Sequence, residues 1–298
     1  MRVPAAQRQR AGTWHADGVE VRIAAIVPCF DDGAFVLEAV ASLRQQEPVE
    51  IVVVDDGSSD PATTEVLDLL STDGVRVVRH GVNRGISAAR TTGRLNTQAP
   101  YVFTLDADDL VMPGVLTAMA DQLDVHPEAM VCFGDYEVFG TSTFRRQVPL
   151  TVDPYRIAFR NELTATALYR RTILEAVNAW EPVVPGSAGR DDLWEDWHLW
   201  MTLAERSAIG VHLGRDVVVY RRRLHADRLT AAASARRREQ YRRLKERHPS
   251  LFGRLREHRR RSDLPAVMKL LYPVIFGDRP RSSLEYRVKS ALERRRQR

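Results

Sequence analysis

Apolar and polar positions alternate in blocks through the first third of the chain. Four short aliphatic runs, Val21 to Pro28, Ile51 to Val54, Val75 to Val78 and Tyr101 to Leu105, are separated by stretches with helical spacing at about 34–46, about 62–70 and from near Ser87 onward. Continuous apolar runs of this length read as strands buried on both faces. Their alternation with helices predicts a doubly wound, mostly parallel α/β sheet with right-handed crossovers. The second part is less regular. Ala129 to Val138 reads as a strand and Thr143 to Leu150 as an antiparallel neighbour, a small antiparallel addition to the sheet. Helical patterns follow at about Arg171–Ala179 and Asp196–Arg206, and Val211 to Tyr220 is a further strand. From about Ala231 to Arg261 the pattern is helical and very basic, interrupted at Pro249; a last apolar stretch, Leu264 to Phe276, is broken by Pro265 and Pro273. The organisation expected is a polar arm over 1–20, one α/β domain over 21–228, and a basic, mostly helical extension over 229–298.

With 298 residues, 44% hydrophobic and 28% charged, the chain can bury one large core and carry an appendage. Two cysteines, Cys29 and Cys132, are too few for a disulfide framework and suit a reducing compartment. No stretch approaches the ~20 apolar residues of a membrane-spanning helix, and residues 1–18 lack the apolar segment of a signal peptide. The expected setting is the cytoplasm, with peripheral attachment to the inner face of the membrane as a further option. The net charge of +5 conceals an asymmetry: from Arg221 onward there are 25 Lys or Arg against 8 Asp or Glu, leaving 19 and 31 in residues 1–220. A basic tail on an acidic body points to an anionic partner, or to a solvated Arg-rich helix with no partner. The tail lacks interleaved aromatics and any nucleic-acid-binding motif, which disfavours nucleic acid. An anionic membrane surface fits better, with Leu264 to Phe276 dipping into the headgroups.

The candidate chemistry lies where strands end. Leu105-Asp106-Ala107-Asp108-Asp109 closes the fourth apolar run, Pro28-Cys29-Phe30-Asp31 the first and Asp55-Asp56-Gly57-Ser58 the second, while Asn83-Arg84-Gly85 precedes the third helix. In a doubly wound sheet these ends converge on one crevice. Unpaired carboxylates are not tolerated deep in a core, and two Asp separated by one small residue can face one divalent cation such as Mg²⁺ or Mn²⁺. Each segment has a plainer reading: Asp-Gly and Asn-x-Gly form turns, and Asp60 can cap a helix. No G-x-G-x-x-G follows the first strand and no P-loop occurs, so a phosphate held here needs a cation between itself and the acids. Leu193-Trp194-Glu195-Asp196-Trp197-His198-Leu199-Trp200 places two acids among three tryptophans. This reads either as a general base beside sugar-stacking platforms or as an acidic first helical turn over core tryptophans. Arg221 to Arg223 and His225, after a strand's last aromatic residue, could meet a metal or diphosphate or simply begin the tail.

Together these segments resemble the family 2 glycosyltransferases of the GT-A fold, metal-dependent inverting sugar transferases. The resemblance spans roughly Ile23 to His225 and rests on Ile26 to Asp31, Val53 to Asp60, Asn83-Arg84-Gly85, Leu105 to Asp109 and Trp194 to Trp197. Two departures stand out: Cys29-Phe30-Asp31 replaces the more usual Tyr-Asn pair, and one extra residue precedes His225. The resemblance implies that Pro28 and Phe30 line the nucleoside pocket with Asp31 near the ribose or base. Asp56 would bind the uracil edge, Arg84 the base and Asp106 the ribose. Asp108 would hold Mn²⁺ or Mg²⁺ across the two phosphates, with His225 as a further metal or diphosphate ligand. Asp196 would be the catalytic base, and Glu195 and Trp197 would shape the acceptor or sugar pocket. The implied donor is a nucleotide sugar, by family habit a UDP-sugar, and the acceptor a glycan, a lipid-linked glycan or a small molecule. The competing readings are a basic nucleic-acid-binding protein and another nucleotide-sugar enzyme of the same fold. A nucleotidyltransferase would carry a glycine- and arginine-rich loop that Pro28 to Gly33 lacks.

Overall fold

The computed structural model describes residues 13–14, 20–180, 194–224 and 237–277. Strands β1 (Thr13–Trp14) and β2 (Glu20–Val21) form a short antiparallel ribbon ahead of the main sheet. Then β3 (Ile23–Cys29), α1 (Gly33–Leu43), β4 (Val49–Asp55), α2 (Pro61–Thr72), β5 (Arg76–Arg79), α3 (Ile86–Leu95) and β6 (Tyr101–Thr104) follow in the predicted alternation. The four strands lie parallel in the order β6-β3-β4-β5, so the chain reverses direction of travel between β3 and β6. That reversal opens a crevice at the strands' C-terminal ends. β3 and β6 are buried along their whole length, as their apolar runs require. Pro28, which has no N–H for a ladder, lies beyond the last β3–β6 pair, Ile26 with Thr104. Gly93 lets α3 close on β3: a Cβ there would sit 2.3 Å from the Ile26 side chain.

The remaining strands divide between two sheets. After β7 (Leu110–Val111) and α4 (Val115–Val125) come β8 (Ala129–Phe133), β9 (Asp135–Gly140), β10 (Phe144–Arg146), α5 (Pro154–Ile157), β11 (Leu168–Arg170), α6 (Arg171–Ala176), α7 (Glu195–Glu205), β12 (Ile209–His212) and β13 (Val218–Leu224). The larger sheet continues as β12-β8-β11-β6, with β11 antiparallel to both neighbours; the smaller runs β10-β9-β13-β7. The single strand expected over Ala129–Val138 is therefore two strands in different sheets. They part at Gly134, where a Cβ would come 2.7 Å from Val219. The strand expected over Val211–Tyr220 splits likewise, at a turn through Gly214 with φ +111°. β11 and α4 carry no strong periodicity and were not anticipated.

The basic segment folds into α8 (Arg237–Arg247), α9 (Pro249–Gly253), α10 (Leu255–Arg261) and α11 (Ala266–Phe276). Pro249 begins α9 rather than breaking a longer helix. The stretch expected to be broken by Pro265 and Pro273 is one helix. Pro265 caps α11, and Pro273 lies inside it. The Lys269 carbonyl that Pro273 cannot reach accepts the Tyr155 hydroxyl instead, at 2.5 Å. Tyr241, Leu244, Leu251, Tyr272, Ile275 and Phe276 join the same core as Val53, Phe103, Tyr169 and Trp200. Tyr241 stacks on Trp197, with ring centroids 5.5 Å apart, and its hydroxyl donates to the Ala158 carbonyl at 2.8 Å.

Candidate active site

Three strand ends and one helix N-terminus build the crevice, and α3 ties them together. At the end of β3, Asp31 adopts φ +55° and accepts from the amides of Ser59 and Asp60 at 2.7 and 2.9 Å. Its carboxylate thus pins the β4–α2 loop. Asp60 caps α2 through Ala62, Thr63 and the Thr63 hydroxyl, as its plainer reading held. At the end of β4, Asp56 is buried and accepts from the amides of Arg84 and Gly85 at 3.0 and 2.7 Å and from His80 Nδ1 at 2.6 Å. A carboxylate only accepts, so His80 carries its hydrogen on Nδ1 and turns Nε2 to the Thr92 hydroxyl on α3, 2.9 Å away. Gly57, with φ +76°, passes so near Val82 that a Cβ would lie 2.5 Å from its carbonyl carbon. Pro28 is buried, Phe30 half-buried, and Arg84 exposed on the loop that Asp56 holds.

β6 ends in the acidic cluster. The carboxylate oxygens of Asp106, Asp108 and Asp109 lie within 4.8 Å of one another, Asp109 buried and the other two half-buried. Asp109 anchors β13 by accepting the Arg223 amide at 2.8 Å, while Arg223 Nε donates to the Asp108 carbonyl at 3.0 Å. Arg221 and Arg223 both lie over the Phe139 ring, at 4.4 and 4.6 Å. Arg222, on the opposite side of the strand by the period of two, sits in the field of Tyr220, Tyr136, Asp109 and Asp106. Burial would lower its pKa, and these neighbours outweigh that and raise it. Arg222 and Arg223 thus both lie near the acidic cluster, Arg223 through hydrogen bonds and Arg222 through its field.

The first turn of α7 meets this cluster through Arg90. That guanidinium, 2% exposed on α3, donates to Asp106 at 2.9 Å and pairs with Glu195. Burial raises the Glu195 carboxyl to about 7, with Asp196 adding to the rise and Arg90 opposing it. Asp196 is half-buried, accepts the Asn161 amide at 2.9 Å, and is likewise raised by burial. For both acids of α7 the loss of hydration outweighs the pull of Arg90, so their charged forms are disfavoured. Trp197 does not face the crevice: it is buried, donates its indole N–H to the Ile157 carbonyl at 2.6 Å and packs on Trp194 and Tyr241. Trp200 is also buried, so these two tryptophans fill the core, as the plainer reading of the segment had it. His225 lies outside the described residues.

Arg90, Asn161 and His80 were missed at the sequence level. Arg90 had a signal: an arginine on the small, apolar face of α3, beside Ala89 and Gly93, must find buried carboxylates. Asn161 and His80 belong to no recognisable spacing.

The distal end of α7 is held as firmly. His198 Nδ1 meets His248 Nε2 at 2.8 Å, and His248 Nδ1 donates to Glu205 at 2.8 Å. Burial, then the neighbouring His248, lowers His198 to about 3, and burial lowers His248. Burial thus disfavours the charged form of both imidazoles. Both cysteines are free and buried, their thiols pushed up to about 12 by desolvation.

A mostly parallel sheet with carboxylates at its switch point defines a GT-A type α/β protein, and comparison with known proteins agrees. The model of the family "Glycosyl transferase family 2" matches residues 24–178, and the chain belongs to that family. An uncharacterized glycosyltransferase of Haemophilus influenzae is 28% identical over 192 residues, 61% of this chain and 67% of that protein. The uncharacterized glycosyltransferase EpsJ of Bacillus subtilis is 27% identical over 173 residues, covering 52% of this chain and 50% of EpsJ. This chain thus matches only half the length of EpsJ. The succinoglycan biosynthesis protein ExoU of Rhizobium meliloti is 38% identical over 91 residues, 29% of this chain and 26% of ExoU. Among solved structures, S. aureus TarS 1-349 superposes with a TM-score of 0.59 at 20% identity, covering 84% of this chain and 68% of TarS 1-349; TarS 1-349 has also been solved with UDP and with UDP-GlcNAc. Among the described residues, no helix is long and apolar enough to cross a membrane.

Proposed function

We propose that the protein transfers a sugar from a nucleotide sugar, a UDP-sugar, to an acceptor hydroxyl with inversion at the anomeric carbon. The observation that carries this reading is Arg90, whose single guanidinium joins the strand-end acid Asp106 to Glu195 beside Asp196. Donor-side and acceptor-side carboxylates thereby face one crevice. The UDP and UDP-GlcNAc complexes of TarS support the choice of donor. The name of ExoU supports a glycan acceptor, free or lipid-linked, over a small molecule.

In this reading Pro28 and Phe30 line the nucleoside pocket and Asp31 and Asp56 hold its walls, Asp56 meeting the uracil edge beside Arg84. Asp106 and Asp108 would hold Mn²⁺ or Mg²⁺; a cluster of carboxylate oxygens suits a hard cation, and both side chains are partly open. Bound there, such an ion supplies Lewis-acid stabilisation of the leaving diphosphate. Arg222 adds positive charge on the same side. Asp196 takes the proton from the acceptor hydroxyl as that oxygen bonds to the anomeric carbon and the bond to the diphosphate breaks on the opposite face. Its raised pKa brings it nearer to neutral pH, where a general base is most effective. Asn161 fixes its orientation. We place the catalytic unit at 21–228, the helices of 229–298 packing against it, and the enzyme in the cytoplasm.

The test is a pair of variants. Asp196→Asn should lower kcat by about 10²–10⁴-fold while donor affinity, read by calorimetry, is kept. Asp108→Ala should abolish the Mn²⁺-dependent part of donor binding. Near wild-type turnover in Asp196→Asn removes that residue as base, and unchanged cation dependence in Asp108→Ala removes it as ligand.

A further inference from the structure

Helix α11 carries two apolar stripes. Met268, Tyr272, Ile275 and Phe276 form one, facing the body: the last three are buried, Tyr272 donates to Glu162 at 2.6 Å, and Arg160 lies over the Phe276 ring at 4.6 Å. Val267, Leu270, Leu271 and Val274 form the other, at the i, i+3, i+4, i+7 spacing of a single helix face. Val267, Leu270 and Leu271 are 67, 65 and 42% exposed. Scattered exposed aliphatics are ordinary, but a stripe at helical period is not. Rotation cannot hide it, because Tyr272 and the Tyr155 bond to the Lys269 carbonyl fix the helix about its axis. The chain before and after it is strongly basic. Lys269 Nζ reaches the Arg260 carbonyl at 3.4 Å, bringing the end of α10 with exposed Arg259, Arg260 and Arg261 against the start of α11. Residues 278–298, which follow, contain eight Lys or Arg against three Asp or Glu.

We propose that this outer face of α11 and the adjoining arginines dock the protein on an anionic phospholipid bilayer. The aliphatic side chains enter the headgroup layer, and the guanidinium groups pair with lipid phosphates. Charge selects this occupant: a narrow apolar stripe that falls in sequence between exposed Arg259 to Arg261 and the eight Lys or Arg of residues 278–298 matches a surface that is apolar beneath and negative at its rim. The inference is independent of sugar transfer, and its test reads no catalysis.

Full-length protein is sedimented with vesicles of phosphatidylcholine alone and of phosphatidylcholine mixed equally with phosphatidylglycerol. It should pellet with the anionic vesicles only, and less as salt rises. The triple variant Val267→Ser/Leu270→Ser/Leu271→Ser and, separately, Arg259→Gln/Arg260→Gln/Arg261→Gln should each weaken that binding by about tenfold or more, with thermal stability unchanged. Should the triple serine variant fold poorly, Leu270→Glu alone should show the same loss. Equal pelleting with neutral vesicles, no pelleting of the wild type, or unchanged binding of the serine variant overturns the proposal. So does a wild-type dimer that the serine variant converts to monomer without any lipid affinity, which would give the stripe to a second copy.

Discussion

At the ends of β3 and β4 the acids are held by main-chain amides, whereas at the end of β6 and the start of α7 they crowd around one guanidinium. Asp31 and Asp56 accept four backbone hydrogen bonds between them and so shape loops. Asp106 and Glu195 share Arg90, Asp196 lies in the field of the same guanidinium, and Glu195 and Asp196 are pushed toward the neutral form by burial. Carboxylates thus serve as loop scaffold on one side of the crevice and gather at a shared buried cation on the other. What separates them is whether amide dipoles or a single shared cation compensates their charge.

The contrast can be broken at its strongest point first. Arg90→Met leaves Glu195 buried without a cation and should destabilise the fold by about 3–5 kcal/mol in urea titrations, with Glu195→Met in the same chain recovering a large part. A loss under about 1 kcal/mol would mean that the acids do not depend on Arg90. On the scaffold side, Asp56→Ala strands the Gly85 and Arg84 amides and His80, at roughly 2–4 kcal/mol. A double-mutant cycle with His80→Ala should be non-additive; strict additivity would show that the two do not share a bond. Gly57→Ala should lower stability by about 1–3 kcal/mol, since φ +76° and the Val82 backbone both oppose a Cβ. A melting temperature equal to wild type would show that the loop relaxes freely.

The smallest effect sharpens the chemical side. In the proposed role Asp196 must be ionised to accept a proton, and burial raises its pKa, so activity should fall on acidification at a pH above the usual aspartate range. Asn161 opposes that rise. Asn161→Ala should therefore move the acid limb of the pH–rate profile further up, leaving the rate at high pH little changed. A limb that stays put would detach Asn161 from the base.

The apolar runs made β3, β4, β5 and β6 legible because strands buried on both faces need continuous aliphatic sequence, and their ends located Asp31, Asp56 and Asp106 to Asp109. What escaped notice depends on contacts distant in sequence. β8 and β9 read as one strand because nothing local marks a change of sheet except Gly134, whose meaning comes from Val219 eighty-five residues later. Trp197 looked like a sugar platform because aromatic character is visible in sequence, whereas its partners, Ile157 and Tyr241, are not. Likewise the acids of α7 were readable and the arginine that unites them was not singled out, since its burial is a property of packing.

The helix bearing Glu195 and Asp196 is gripped along its length: by Arg90 and Asn161 at its head, and from its first turn to its last residue by the chain from His198 through His248 to Glu205. His248 belongs to the arginine-rich helices, so those helices act as a buttress under α7 rather than as a trailing ribbon. A chain cut short of His248 would lose the brace of the helix that carries Glu195 and Asp196 along with its positive charge.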